Sequence, residues 1–370
     1  MSRPDVIVVG AGIVGAACAY ALASGGLRVL VLDSGFAGTG TTAAGMGHLV
    51  AMDDSEAQFA LTSFSLRLWE ALSAELGADV EYDRCGTIWV AADDEEMQHV
   101  RSKAAFYGAR AAATEILDAR ALAEAEPLLR PGLAGGLFVP GDRVLYPPNA
   151  ARFLISRACA QGARLREGTQ VRALAPRCVE LESERIEADH VVNAAGTEAV
   201  RLTPGLPIEP RKGHLVVTDR YPGFCRHQLV ELGYLTSAHG HARESVAFNL
   251  QPRTTGQLLL GSSREFVGWD ASINPRIRSR MLARAHEYMP ALAGLLAVRT
   301  WTGLRPATPD SLPLIGAWEP GLWIAAGHEG LGITTSLATG RLIGDLILGR
   351  APAIDPTPFA PRRVAAHRHA

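Results

Sequence analysis

Three glycines near the start of the chain have the spacing of a phosphate-binding turn. Gly10, Gly12 and Gly15 form the pattern G-x-G-x-x-G between an apolar run and an alanine-rich run. In such a turn the first glycine permits a tight bend, the second a close approach of the backbone to a pyrophosphate, and the third close packing of a helix on a strand. The unpaired N–H groups at the start of that helix attract phosphate.

Asp33 extends this pattern, because it closes the next apolar run at the distance expected for an acid that accepts from a ribose hydroxyl. The elements that would place these residues are a strand over 5–10, a helix over 16–23 and a second strand over 27–32. Strand, glycine turn, helix, strand and acid together predict a dinucleotide site. They leave open whether the ligand is NAD(P) or FAD.

Two further segments rich in small residues indicate other places where the backbone approaches a ligand. The stretch 34–47 carries Thr41 and Thr42 among glycines and alanines, which favours a ligand-contacting loop over a flexible linker. An apolar strand predicted over 186–197 ends in Ala-Ala-Gly. Ligands of α/β sheets bind at this carboxyl edge.

The last glycine-rich segment bears on the choice between the two dinucleotides. A strand predicted over 322–327 runs into glycines, and a helix predicted over 334–348 follows them. The positive start of that helix suits the anionic N1 and C2=O of a reduced flavin, whereas a nicotinamide ring has no such need. This segment therefore favours FAD.

The order of the predicted elements indicates an α/β fold with a discontinuous nucleotide-binding domain. Short strands predicted over 215–218, 234–236, 246–250 and 258–261 are separated by turn residues, which suits an antiparallel sheet. The predicted boundaries are a nucleotide-binding domain over 1–81, 143–215 and 296–350, a β-rich domain over 82–142 and 216–295, and a loosely held tail over 351–370.

Composition narrows the class of protein. The chain has 370 residues and a formal net charge of −2, with no long run of one sign, so a nucleic-acid partner is not expected. The five cysteines are scattered without metal-ligand spacing, which favours reduced thiols in a cytoplasmic protein and no metal site. No signal peptide and no transmembrane segment are expected, because the apolar runs are too short.

Five motifs together resemble one known family over almost the whole chain. They are the stretches 8–15, 41–46, 191–196, 303–306 with 313–316, and 327–328 with the closing helix. The chain resembles the FAD-dependent D-amino-acid oxidase superfamily, in the branch of glycine oxidase and D-hydroxyproline dehydrogenase. The resemblance implies a Rossmann-like FAD-binding domain of the glutathione-reductase type with an inserted antiparallel β-rich substrate domain.

The resemblance also implies non-covalent FAD, since no cysteine follows Cys225 where some sarcosine oxidases attach the flavin. Asp33 stands where most relatives carry the longer Glu. The positions that would contact the cofactor are Gly10, Gly12, Ile13, Val14, Gly15, Asp33, Ser34, Thr41, Thr42, Ala43, Gly45, Met46, Val171, Ala195, Gly196, Gly303, Gly330, Leu331, Gly332, Ile333 and Thr334.

By the same resemblance, Arg305 within Gly-Leu-Arg-Pro would anchor a substrate carboxylate through its guanidinium fork; a surface ion pair is the alternative. Glycine oxidases carry a second arginine in the closing segment, where this chain has Gly330. That departure favours hydroxyproline dehydrogenase over glycine oxidase. The neighbouring Glu329 would hold the substrate ammonium or a ring hydroxyl, or would pair with Arg305.

Three more residues complete the predicted catalytic set. His48 would lie on the flavin face opposite the closing helix, and Phe248 and Asn249 would wall the pocket; structural roles are the alternatives. The basic stretch 211–214 is predicted to be a solvated surface turn, with the docking of a partner as the alternative.

The leading hypothesis is FAD-dependent oxidation of a D-hydroxyproline or D-proline to its imine, by hydride transfer from the α-carbon to flavin N5. The enzyme would be a dehydrogenase subunit, with iron–sulfur and second flavoprotein subunits as partners, since the chain has no cluster cysteines of its own. One alternative is an oxidase of glycine, sarcosine or another D-amino acid that makes hydrogen peroxide. Others are an NAD-binding dehydrogenase and a non-catalytic flavoprotein subunit.

Overall fold

The computed structural model describes residues 3–233 and 244–364. The strand predicted over 234–236 therefore lies outside the described residues. The strands are β1 (Val6–Val9), β2 (Val29–Leu32), β3 (His48–Leu49), β4 (Thr87–Ala91), β5 (Glu115–Asp118), β6 (Gly135–Val139), β7 (Arg143–Val144), β8 (Arg164–Arg166), β9 (Ala173–Ala175), β10 (Cys178–Glu180), β11 (Arg185–Glu187), β12 (His190–Asn193), β13 (Glu209–Thr218), β14 (Gln228–Glu231), β15 (Glu244–Pro252), β16 (Leu258–Glu265), β17 (Ala297–Ala307), β18 (Leu314–Glu319) and β19 (Leu322–Ala326).

The helices are α1 (Ile13–Ser24), α2 (Thr41–Ala44), α3 (Glu56–Leu72), α4 (Asp94–Gly108), α5 (Ala119–Ala125), α6 (Pro147–Ala160), α7 (Ala199–Leu202), α8 (Pro275–Tyr288) and α9 (Gly332–Ile347). Short 3-10 helices lie at Ser73–Glu75, Ala78–Val80, Gly196–Glu198, Pro290–Gly294 and Thr357–Phe359. The loop predicted over 34–47 contains α2, a single helical turn that its small residues do not signal.

A six-stranded sheet forms the first layer, in the order β18-β19-β12-β1-β2-β8. Its centre is parallel, with β1 between β2 and β12, and every residue of β1 is buried. Strands buried on both faces are continuous apolar runs, as β1 and β2 are. Strands β12 and β19 join this sheet from parts of the chain that are distant in sequence from β1 and β2.

An eight-stranded sheet forms the second layer, in the order β17-β13-β16-β15-β14-β4-β6-β5. All its pairings are antiparallel except that of β14 with β4. Strand β13 (Glu209–Thr218) crosses the boundary predicted at 215, and its partner β17 (Ala297–Ala307) lies within the segment 296–350 predicted for the nucleotide-binding domain. We propose that the chain has two domains and that both strands belong to the β-rich domain, since they pair within the eight-stranded sheet.

Two predictions about the surface are wrong. The stretch 211–214 is not a solvated turn, since it lies within β13 and Arg211, Lys212 and His214 are all buried. The end of the described chain is not loosely held: Phe359 is buried in the main core, and Arg363 forms an ion pair with Asp310. In both stretches, charged side chains pair with residues of segments that are remote in sequence.

The described residues contain no helix with the length and apolar character to cross a membrane. Within the same residues no group of His, Cys, Asp and Glu side chains is arranged to hold a metal ion.

Candidate active site

A cavity of about 660 Å³ is lined by residues of both large sheets. Its size falls within the range of roughly 300–1,000 Å³ typical of ligand sites. The carboxyl ends of β1, β2, β12 and β19 contribute one wall, and β13, β15, β16 and β17 the other. The cavity therefore lies at the edge of the parallel sheet where the sequence predicts a ligand.

The glycine turn after β1 depends on close backbone packing. Gly10 has a φ of +105°, and a Cβ there would lie 2.5 Å from the carbonyl oxygen of Ala194. A Cβ on Gly15 would lie 1.9 Å from the carbonyl oxygen of Gly10, so α1 sits directly on β1. Gly10 and Gly12 line the cavity, whereas Gly15 serves the packing behind it.

Two side chains hold this turn in place. The N–H of Ile13 donates to Oγ1 of Thr42 at 2.9 Å, which ties the start of α1 to α2. Asp33 accepts from the N–H of Ala11 at 2.6 Å and from the N–H of Gly35 at 2.7 Å. Asp33 thus fixes backbone on two sides of the cavity, in addition to the ribose contact predicted for it.

The start of α9 reaches the cavity from the opposite end of the chain. Gly330, Gly332 and Ile333 line the cavity, and no side chain caps this helix. The first N–H groups of a helix lack intrahelical acceptors and carry its positive dipole end. Thr334 does not line the cavity; its hydroxyl donates to the carbonyl oxygen of His48 at 2.8 Å and so joins α9 to β3.

These features fit FAD. The uncapped starts of α1 and α9 suit a pyrophosphate and the N1 and C2=O side of a flavin, and the glycines leave room for close approach. Among the described residues no cysteine lines the cavity. The predicted cofactor positions that do line it are Gly10, Gly12, Ile13, Val14, Asp33, Ser34, Thr41, Thr42, Gly45, Met46, Val171, Ala195, Gly196, Gly303, Gly330, Gly332 and Ile333. Those absent from the lining are Gly15, Ala43, Leu331 and Thr334.

Arg305 lines the cavity from β17, and its guanidinium is held by β13 and β16. A Cβ on Gly213 would lie 2.3 Å from Nη1 of Arg305, so the guanidinium lies flat against that glycine. Nη1 donates to the carbonyl oxygen of Ser263 at 3.1 Å. Ser263 is in turn held by buried His214, whose Nδ1 lies 2.9 Å from its hydroxyl. Because Nε2 of His214 accepts from the N–H of Asn274, its proton is on Nδ1 and donates to Ser263.

Glu329 also lines the cavity, but it pairs with Arg211 rather than with Arg305. Nη1 of Arg211 donates to Oε1 of Glu329 at 2.7 Å, and both side chains are largely buried. This contact explains why Arg211 is not at the surface: a buried charge needs a partner of opposite sign.

His48 and Asn249 line the cavity, but Phe248 does not. Successive residues of a strand point to opposite faces, and Phe248 stacks on Tyr288 of α8 at 4.9 Å, within the core. Burial and the nearby charge of Arg305 lower the pKa of His48 to about 4. Burial lowers the pKa of His328, also in the lining, to about 3. Both imidazoles are therefore neutral near pH 7.

A family model described as FAD dependent oxidoreductase, the DAO family, matches residues 5–346. The chain belongs to the DAO family.

Three similar proteins illustrate this DAO-family membership. A glycine oxidase of Pseudomonas aeruginosa is 32% identical, over 96% of this chain and 98% of that protein. Hydrogen cyanide synthase subunit HcnC of the same species is 28% identical, over 97% of this chain and 96% of the subunit. The crystal structure of L-proline dehydrogenase from P. horikoshii superimposes with a TM-score of 0.88 at 25% identity and covers 99% of both chains.

As a DAO-family protein, the chain is an FAD-dependent oxidoreductase. This confirms the cofactor predicted from its glycine-rich segments and excludes the NAD alternative. The fold is confirmed as well, since relatives across the family superimpose over nearly their whole length.

Sequence reasoning missed several residues of the DAO-family site. Ser262, Gly213 and Leu215 line the cavity, and the hydroxyl of Ser262 is buried without a hydrogen-bond partner among the described residues. Ser262 and Leu215 stand in no motif, and Gly213 lies in the basic stretch 211–214, for which the sequence predicts a surface turn. Glu198 and Arg201 line the cavity after the Ala-Ala-Gly segment, and their closeness to that segment was the one available signal.

Proposed function

We propose that the chain oxidises a small α-amino or imino acid, with Arg305 as the anchor of the substrate carboxylate. The observation that supports this most directly is the position of Arg305, which lines the same cavity as the glycine turn and the start of α9. A guanidinium can bind a carboxylate through two parallel hydrogen bonds. FAD, when bound, supplies a hydride acceptor at N5.

The residues of the chain would act mainly by orientation. Arg305 would hold the substrate carboxylate, and its own position is set by Gly213 and Ser263. Neutral His48 adds no positive charge beside the amine near pH 7, so it does not repel a protonated substrate. Positioning of this kind supplies several kcal/mol of an enzyme's rate enhancement, roughly 7–11 in well-oriented model reactions.

For the substrate we favour D-hydroxyproline or D-proline, oxidised to the imine by hydride transfer from the α-carbon. Oδ1 of Asn249 and Oγ of Ser262 are buried beside the cavity without hydrogen-bond partners among the described residues. Such atoms suit a substrate with a polar ring substituent, since a buried polar group left unpaired costs roughly 1–3 kcal/mol. The similarity to L-proline dehydrogenase supports a cyclic secondary amine.

For the electron acceptor we favour a partner protein rather than oxygen, in a cytoplasmic complex. The five cysteines are scattered along the sequence, so an iron–sulfur relay would belong to a partner, beside a second flavoprotein subunit. The similarity to HcnC, which is itself named as a subunit, supports this arrangement.

A second candidate is an oxidase of glycine, sarcosine or another D-amino acid that reduces oxygen to hydrogen peroxide. The 32% identity to a glycine oxidase over almost the whole chain favours it.

An anaerobic substrate panel tests both candidates. The purified flavoprotein is mixed with D- and L-proline, the hydroxyproline isomers, glycine, sarcosine and D-alanine, and bleaching of the flavin absorption is followed. We expect the fastest bleaching with a D-hydroxyproline or D-proline, and in air dye reduction without peroxide. Fastest bleaching by glycine or sarcosine, with peroxide in air, would support the second candidate. No bleaching by any amino acid would contradict both.

A further inference from the structure

Arg211 and Arg305 face each other across two neighbouring strands. In the antiparallel pair of β13 and β17, Arg211 is the direct partner of Arg305. Side chains that are directly opposite in such a pair emerge on the same face, with Cβ atoms about 4.5–5.5 Å apart, and like charges there are destabilising. A third group must therefore compensate the two positive charges, of which Arg305 lines the cavity and Arg211 is buried outside its lining.

Glu329 is that group, and its backbone is fixed beside Arg305. Its N–H donates to the carbonyl oxygen of Pro306 at 3.0 Å, and its φ is +46°, which is uncommon for a residue with a side chain. Its Oε1 accepts from Nη1 of Arg211 at 2.7 Å. The ring of Phe266 lies 4.8 Å from the Arg211 guanidinium and covers it. Arg211 thus forms a buried ion pair with Glu329.

One oxygen of Glu329 is left for a ligand. No described residue donates a hydrogen bond to Oε2, and the side chain retains 15% exposure in the cavity lining. Among the described residues, a Cβ on the neighbouring Gly330 would meet only Cδ and Nε of Arg305, at 3.9 Å, so Gly330 lies beside the Arg305 side chain. Arg305, which would anchor a carboxylate, and Glu329, whose Oε2 can accept a hydrogen bond, thus line the same cavity.

We propose that the Arg211–Glu329 ion pair determines substrate specificity at the wall of the cavity beside Arg305. It selects a monocarboxylate that carries a hydrogen-bond donor, an ammonium or a hydroxyl group, for Oε2 of Glu329. It rejects a dicarboxylate, because a second anionic group would meet Glu329 instead of a cation. This inference deepens the proposed function and rests on it for the identity of the substrate.

The test is a charge-removing variant, Glu329→Gln, compared with wild type in binding of two unreactive ligands, acetate and malonate. The variant keeps the size of the side chain and leaves the buried charge of Arg211 without its carboxylate. A second carboxylate on the ligand would then supply the missing anion. Isothermal titration calorimetry on the FAD-loaded protein gives both dissociation constants without turnover.

We expect wild type to prefer acetate, and Glu329→Gln to raise the affinity ratio of malonate to acetate by at least about tenfold, since like-charge contacts at an interface cost several kcal/mol. The matched control is Glu124→Gln, which breaks the exposed ion pair with Arg120; its ratio should equal that of wild type. If Glu329→Gln does not retain FAD, the double variant Arg211→Met/Glu329→Met replaces it, because removing both buried charges together is better tolerated. It too should raise the ratio.

A ratio that stays within twofold of wild type, in a variant that retains FAD, would overturn the proposal. The amino-acid panel on wild type is scored separately. A changed ratio without bleaching by any amino acid supports the specificity pair and contradicts the proposed function. Bleaching by an amino acid, with an unchanged affinity ratio of malonate to acetate, supports the proposed function and contradicts the specificity pair.

Discussion

Asp142 holds the segment that leads away from the cavity at His48. Its Oδ1 accepts from the N–H of Ala51 at 3.1 Å, and the hydroxyl of Tyr107 donates to the carbonyl oxygen of the same residue. The carboxyl is buried, which raises its pKa to about 7; Lys103 and Arg143 are the positive charges near it. Lys103 is itself paired with Asp53, so the charge of Asp142 is only partly compensated.

The raised pKa predicts how stability depends on pH. Between about pH 4 and pH 7 the folded protein keeps the Asp142 proton while the unfolded chain loses it, so the free energy of unfolding falls as pH rises through this window. Asp142→Asn cannot ionise, and its Oδ1 can still accept from Ala51. We expect its stability relative to wild type to rise by about 1 kcal/mol per pH unit across the window.

Urea unfolding of both proteins, with saturating FAD, measures this difference at pH 5, 6, 7 and 8. It should grow from pH 5 to pH 7 and then level off. A difference that does not change with pH would show that Asp142 is ionised in the folded protein.

Buried charges are also where prediction from the sequence failed at the residue scale. The sequence predicts a surface turn for Arg211, Lys212 and His214, whereas the structure buries all three. Charged residues are rarely buried without a partner. Their partners come from remote segments: Glu329 for Arg211, Asp270 for Lys212 and Ser263 for His214. No local pattern in the sequence predicts such pairs.

At the scale of elements, the packing of α1 against α9 supports the cofactor end of the cavity. The contact is made by small residues, so the two helices approach closely. A Cβ on Gly340 of α9 would lie 2.4 Å from the carbonyl oxygen of Ala17 in α1. A Cβ on Gly344, one turn later, would lie 3.5 Å from Cβ of Ala21, which is an ordinary contact.

These two glycines give a matched pair of substitutions. Gly340→Ala should lower the free energy of unfolding by about 1–3 kcal/mol, because it forces the helices apart. Gly344→Ala should be neutral or stabilising by up to about 1 kcal/mol, because alanine favours the helix and fits the space. Urea denaturation followed by circular dichroism measures both. Equal effects of the two substitutions would show that the close contact at Gly340 is not needed.

Elements with a strong local pattern were predicted well. Strands β1 and β2 and helices α1 and α9 differ from prediction by a few residues. The miss is α2, whose four residues come from a stretch of small side chains without periodicity. It exists because Thr42 binds the start of α1 and the hydroxyl of Thr41 donates to the carbonyl oxygen of Leu304, contacts that are tertiary.

At the scale of the whole molecule, the cavity joins two halves of a site that lie far apart in sequence. The glycine turn after β1 and the start of α9 face Arg305 and Glu329 within one space. The sequence predicts the cofactor half in detail because its motifs depend on backbone geometry. The substrate half is less predictable, since its polar groups are carried by strands of the large sheet whose register the sequence does not define.

The central claim is that Arg305 anchors the substrate carboxylate beside FAD, and Arg305→Leu tests it most directly. The best substrate of the panel is mixed anaerobically with wild type, Arg305→Leu and, as a control, Arg120→Leu at an exposed ion pair. Loss of a charge-assisted bidentate contact costs about 2–5 kcal/mol, so we expect Arg305→Leu to bind FAD normally but to lose at least about 30-fold in the apparent second-order rate of flavin reduction. Arg120→Leu should match wild type. Flavin reduction by Arg305→Leu at the wild-type rate would contradict the account.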